Sequence, residues 1–106
     1  MMLIRDIMYC KPGKVKPLVE KFLAMNALSE KMGMPKMKIM TDFSAERYWT
    51  VVSEMEVPNL QEFDDMMSGK GKYQPDAETT KKFEEAMKGY HDLVDKGRRE
   101  IYKLEN

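Results

Sequence analysis

The spacing of apolar positions changes several times along the chain, and those changes divide it into elements. From Tyr48 to Val57, Trp49, Val51, Met55 and Val57 recur at the two-residue period of a strand, interrupted by Ser53. Tyr48, Thr50, Val52, Glu54 and Glu56 alternate with them, so this stretch predicts a central strand with one core face and one mixed face. Met2 to Cys10 predicts the first strand, closed by Pro12-Gly13. Its alternating sets, Met2, Ile4, Met8, Cys10 and Leu3, Ile7, Tyr9, are both apolar, as in a strand buried on two sides.

From Gly13 to Gly33 the period becomes helical. Val15, Leu18, Phe22, Met25 and Met32 form the stripe, Val19 widens it, and the Lys and Glu residues lie mainly off it. Pro17 belongs in a first turn and Gly33 with Pro35 stops the helix, which predicts about 16–20 residues. Met37 to Phe43 predicts a second strand, joined to the central one by the short polar link Ser44 to Arg47. Pairing Phe43 with Tyr48 would set Thr41 against Thr50 and Ile39 against Val52, on the mixed face. Asn59 predicts a helix cap with Glu62 reaching back to its amide, over the apolar set Leu60, Phe63 and Met67. Ser68 to Pro75 reads as a mobile loop. Asp76 caps a second helix whose stripe, Thr80, Phe83, Met87, Tyr90 and Val94, extends to a stop at Gly97. Arg98 to Leu104 predicts a final edge strand protected by charge.

The order is strand, helix, strand, strand, helix pair, strand over one domain, residues 1–106. It predicts an α+β, ferredoxin-like βαββααβ fold with a four-stranded antiparallel sheet and its helices on one face. The other face would then display Ile7 or Met8, Ile39, Phe43, Tyr48 and Val52. An apolar surface of that kind calls for a partner, most simply a second copy in a homodimer.

Composition narrows the partners. Lys plus Arg and Asp plus Glu are 18 each and interleaved, which gives no field for a nucleic-acid backbone and argues against that partner. A single cysteine, no secretory leader and no apolar run of about 20 residues point to a cytoplasmic protein without a membrane span. The twelve methionines read as flexible core filler. Met32, Met34, Met37 and Met40 could suit Cu(I), but they straddle a helix end, a turn and two strand faces, so no metal is expected. Cys10 reads as a small buried apolar residue.

The first strand entering Cys10-Lys11-Pro12-Gly13-Lys14, the long helix, and Lys38-Ile39-Met40-Thr41-Asp42 beside Trp49 to Glu56 resemble the dimeric α+β barrel superfamily. The likeness is to its small antibiotic-biosynthesis-monooxygenase-like members. It implies a barrel closed across the dimer and a ligand pocket between each sheet and its helices. It does not select an activity, since such members include cofactor-free oxygenases, haem-degrading enzymes, isomerases and plain binding or stress proteins. The haem-degrading branch needs a His, an Asn and a Trp; this chain offers His91 and Trp49 on different elements and Asp6 instead of Asn, so no cofactor is expected.

Two functions follow. One is a cofactor-independent monooxygenase-like enzyme acting on an aromatic or quinone-like molecule beneath Trp49, with His91 and Asp42 as catalytic groups and Trp49, Tyr48, Tyr9 and Tyr90 holding the substrate. The other is a non-catalytic homodimer that binds a small apolar ligand or serves in stress or regulation. Convergence of Asp42, Trp49 and His91 on one cavity would favour the enzyme. An exposed His91 and a methionine-filled cavity would favour the second.

Overall fold

The computed structural model describes residues 1–106. Its elements are β1 (Met2–Cys10), α1 (Val15–Lys31), β2 (Lys38–Thr41), β3 (Thr50–Val57), α2 (Leu60–Ser68), α3 (Ala77–Met87) and β4 (Val94–Lys103), with short 3-10 turns at Gly71–Tyr73 and Tyr90–Asp92. The strands form one antiparallel sheet in the order β2-β3-β1-β4. Helices cover one face, which is the ferredoxin-like arrangement that the period changes predict.

The helix-covered face takes alternate residues of each inner strand, Ile4, Met8 and Cys10 from β1 and Val51, Met55 and Val57 from β3. At one end Cys10 and Val51 pack under Leu18 and Phe22, which stand one turn apart on α1. Leu18 and Val51 are fully buried, at about 0.8 kcal/mol for each methylene withdrawn from water. Pro17 falls in the first turn of α1, where no backbone hydrogen bond is lost.

Three sequence expectations need correction. First, the β2–β3 register is displaced by one residue: Thr41 faces Val51, Met40 faces Val52 and Ile39 faces Ser53. The cause lies at Trp49, whose φ of 63° makes it the one non-glycine residue in the left-handed region. That turn lets Asp42 and Thr50 pair, with Thr50 N–H donating to Asp42 Oδ1 at 2.9 Å and Asp42 N–H donating to the Thr50 carbonyl at 3.1 Å. A one-residue slip exchanges faces, so Ile39 joins the core side, and Trp49 lies outside β3 in an eight-residue loop.

Second, α3 stops at Met87 and does not continue to Gly97. Gly89 takes φ +81°, and Tyr90, Leu93 and Val94 reach the same core from a 3-10 turn and a strand. Their helical spacing arises from a shared destination, not a shared helix. Gly97 lies within β4 opposite Met8, where a β-carbon would stand 2.7 Å from the Met8 sulfur.

Third, the open face is not a simple apolar patch. Met8 and Ile39 belong to the other face, and Phe43 and Tyr48 project to solvent from the β2–β3 loop, fully exposed and 86% exposed. Ile7 and Val52 remain on the open face beside a chain of charges in which Arg5 pairs with Glu54 and reaches Glu100, while Arg98 pairs with Glu100 and Glu46.

Candidate ligand-binding cavity

The site begins with a polar interruption of the core face. On β1 the series Met2, Ile4, Met8 is broken by Asp6, and on β3 the series Val51, Met55, Val57 is broken by Ser53. The register makes Asp6 and Ser53 direct partners and adds Arg99 beyond Asp6 and Ile39 beyond Ser53. One row therefore crosses all four strands as Ile39, Ser53, Asp6 and Arg99, between the rows Thr41, Val51, Met8, Gly97 and Met55, Ile4, Ile101. Ser53 is buried and Asp6 keeps 27% of its side chain exposed, and a polar group costs roughly 1–3 kcal/mol to the extent that it leaves water without hydrogen bonds.

Arg99 meets part of that need. Its Nε donates to Asp6 Oδ1 at 2.6 Å and its Nη2 to Oδ2 at 3.2 Å, with the guanidinium 5.0 Å from the Phe63 ring of α2. The Asp6 hydrogen bond raises the Arg99 pKa above its ordinary value. Ser53 is 5% exposed, and no protein group hydrogen-bonds its hydroxyl, which opens on the space above.

That space is a cavity of about 450 Å³ between the sheet, α1, the end of α2, and α3. Seven of the twelve methionines line it: Met25, Met32, Met34, Met37, Met55, Met66 and Met67. Phe22, Tyr73 and Phe83 add aromatic surface. Asp6 and Glu84 are its charged lining residues, and no Lys, Arg or His joins them.

Two hydrogen-bonded ties fix the walls. Asn26, on the inward face of α1, donates from Nδ2 to the Met37 carbonyl at 3.1 Å and accepts the Met37 N–H at 3.2 Å. It thereby satisfies its buried amide and holds the chain entering β2 against α1. On the other side Asn59 caps α2 by accepting the Glu62 N–H at 2.9 Å, but the Glu62 side chain turns away from the cap. Glu62 accepts the Tyr73 hydroxyl at 2.6 Å and pairs with Lys72 at 3.3 Å. The Tyr73 bond, foremost among its influences, holds the Glu62 carboxyl below its ordinary value, and the same bond pushes the Tyr73 hydroxyl above its own. The segment read as a mobile loop, Ser68 to Pro75, thus carries a buried Tyr73 and forms part of the cavity wall.

The six residues singled out in the sequence do not share this cavity. Tyr9 lies on the opposite sheet face, where its hydroxyl accepts from Arg98 at 2.8 Å and the Arg47 guanidinium sits 4.4 Å from its ring. Asp42 is engaged with Thr50, and Tyr48 and Trp49 border shallow surface depressions near Val15 and Thr41. Tyr90 and His91 stack with ring centres 3.9 Å apart at the start of β4, and His91 is exposed. Cys10 is buried at the tight end of the core, and burial, with Asp42 nearby, pushes its thiol pKa up.

Among the residues that line the cavity, sequence reasoning did not single out Asp6 and Ser53 as a pair. Their signal was present as two breaks in apolar alternation, one in each inner strand. Only the register shows that the breaks coincide.

No family model matches the sequence, and no curated protein matches it. Solved structures do share its shape. A NIPSNAP domain protein from Burkholderia xenovorans superposes with a TM-score of 0.74 at 8% identity, covering 98% of this chain and 94% of that one. A NIPSNAP family protein from Agrobacterium tumefaciens gives 0.68 at 12% identity, covering 97% and 92%. An antibiotic biosynthesis monooxygenase gives 0.66 at 9% identity, covering 98% of both chains. At these identities the likeness is one of fold, and the chain has the ferredoxin-like α+β fold that NIPSNAP and antibiotic-biosynthesis-monooxygenase-like proteins share.

Proposed function

We propose that this protein binds a small, largely apolar molecule in the methionine-lined cavity, without catalysing its conversion. The observation that carries the reading is the concentration of seven thioether side chains around one cavity of about 450 Å³, a volume within the usual range for ligand sites. Thioether chains have three rotatable bonds and polarizable sulfur, so they mould to an apolar guest where branched side chains would hold one shape. An oxygenase would need a free base beside its substrate. Of the two cavity carboxylates, Asp6 has both oxygens engaged by Arg99 and Glu84 is exposed, while His91 and Asp42 lie elsewhere.

Nile red, a neutral apolar dye, provides the test. It should bind saturably at one site per chain, and Met55→Trp should fill the cavity and weaken binding at least about tenfold while the thermal transition is retained. Unsaturable binding, or equal affinity in a folded Met55→Trp variant, would refute the reading.

The working unit in this proposal is a homodimer joined through the open sheet face. Val52, Met40 and Tyr102 supply apolar area there, and the Arg5, Glu54, Glu100 and Arg98 network presents both signs, so two copies can meet without net repulsion. Sedimentation velocity at micromolar concentration should report a dimer; a monomer there contradicts this part of the proposal.

A further inference from the structure

The cavity floor and lining specify the head group of the ligand. We infer that the Asp6–Ser53 floor takes the protonated nitrogen of a hydrophobic amine and that the site rejects carboxylates of the same size. This inference rests on the cavity being a ligand site, as proposed above.

Three observations carry it. Ser53 is more than nine-tenths buried as a residue, yet its hydroxyl is open to the cavity and has no protein partner, so it is free to bond a guest. Its neighbour across the strand pair is Asp6, with β-carbons about 5 Å apart for directly opposed residues. Arg99 uses one lone pair on each Asp6 oxygen, and a carboxylate has about four such positions, so acceptor capacity remains on a residue that lines the cavity. An ammonium carries three donors and no acceptor. Placed at the floor, it can give one hydrogen bond to Asp6 and one to Ser53.

The lining supplies the second discrimination. Its acidic side chains are Asp6, paired with Arg99, and Glu84, and no basic side chain lines it, so a bound carboxylate would meet no unpaired cation and would lose its water without replacement. The Phe22, Tyr73 and Phe83 rings instead suit a cation with an apolar body. Of the other polar lining groups, both ends of the Asn26 amide are taken by Met37, the Ser29 hydroxyl donates to the Met25 carbonyl at 3.0 Å and the Tyr73 hydroxyl to Glu62, while Ser68, Thr80 and Glu84 are exposed.

Decylamine, decanol and decanoate carry one hydrocarbon chain with three heads, and calorimetric titration of each at neutral pH tests the inference. Decylamine should bind at least about tenfold more tightly than decanol, the usual worth of a hydrogen bond to a charged group, and decanoate should be weakest. Ser53→Ala should weaken decylamine about threefold to tenfold and leave decanol nearer its original affinity. Asp6→Asn should erase most of the preference for amine over alcohol. Because that change frees Arg99, the double variant Asp6→Asn with Arg99→Gln provides the same test without an unpaired guanidinium. Decanoate binding as tightly as decylamine, with decanol also bound, would overturn the head-group assignment alone. Failure of all three, together with failure of Nile red, would overturn the ligand site itself.

Discussion

The helix-covered side of the sheet has two ends built in different ways. At one end Leu18, Phe22, Val51 and Cys10 close on one another with little exposure. At the other, methionines surround open space above a polar floor. Both lie under the same helix, α1, and on the same two inner strands, so the difference is one of side-chain choice and not of architecture. Branched and aromatic side chains fix a shape; unbranched thioethers leave it adjustable. The dense end supports the fold, and under the proposed function it is the loose end that holds a guest.

The sharpest way to break that contrast is to open the dense end. Leu18→Ala should cost about 2–5 kcal/mol in chemical denaturation, because Leu18 is wholly buried and its removal leaves a gap in the dense end. If Met55→Leu at the loose end costs as much, the division fails; its expected cost is under about 1.5 kcal/mol. Gly97→Ala falls between, at about 1–3 kcal/mol, since its β-carbon would meet the Met8 sulfur at 2.7 Å and the Ile7 carbonyl at 3.2 Å. Simultaneous Met8→Ala should recover part of that loss if the sulfur is the obstacle.

Smaller effects sharpen the picture. Peroxide should place a sulfoxide on Met67, which is exposed at the cavity wall, before it modifies Cys10, which is buried and has a raised pKa. Peptide mapping that finds Cys10 oxidised first would contradict the packing described for the dense end. Asp76 gives the mildest test. Its carboxylate caps α3 by accepting the Thr79 N–H at 2.7 Å, and that bond lowers its pKa. A lowered folded-state pKa adds stability above the unfolded value near 3.8, and this contribution disappears as the pH falls through the folded value. Asp76→Ala should therefore flatten the acid limb of the stability profile and leave its alkaline limb unchanged.

The order of elements was legible because the periods of two and 3.6 are enforced locally. Asn59 and Asp76 could be recognised as caps because a cap needs only its own side chain and the next turn. Register was not legible. It depended on Trp49 accepting a left-handed backbone, which costs a bulky side chain energy and leaves no trace in an apolar pattern. The end of α3 was obscured because Tyr90 and Val94 continue its spacing by serving the same core after the helix has stopped. The cavity was missed for a related reason. Asp6 and Ser53 each looked like one tolerated break, and the aromatic and titratable residues that drew attention proved to be distributed over the open face, the β2–β3 loop and the start of β4.

The pairing of Asp6 with Arg99 also sets a timetable. The two residues are 93 positions apart, and β1, first to be made, receives β4 as its second neighbour only when nearly the whole described chain is available. Until then one edge of β1 is unpaired, Asp6 lacks its cation, and the cavity has no finished floor. Contacts of such long separation form slowly because the intervening chain must first be ordered. The docking of β4 is thus the step at which the sheet and the cavity floor are completed together, and a protein trapped before it would expose a sticky inner strand.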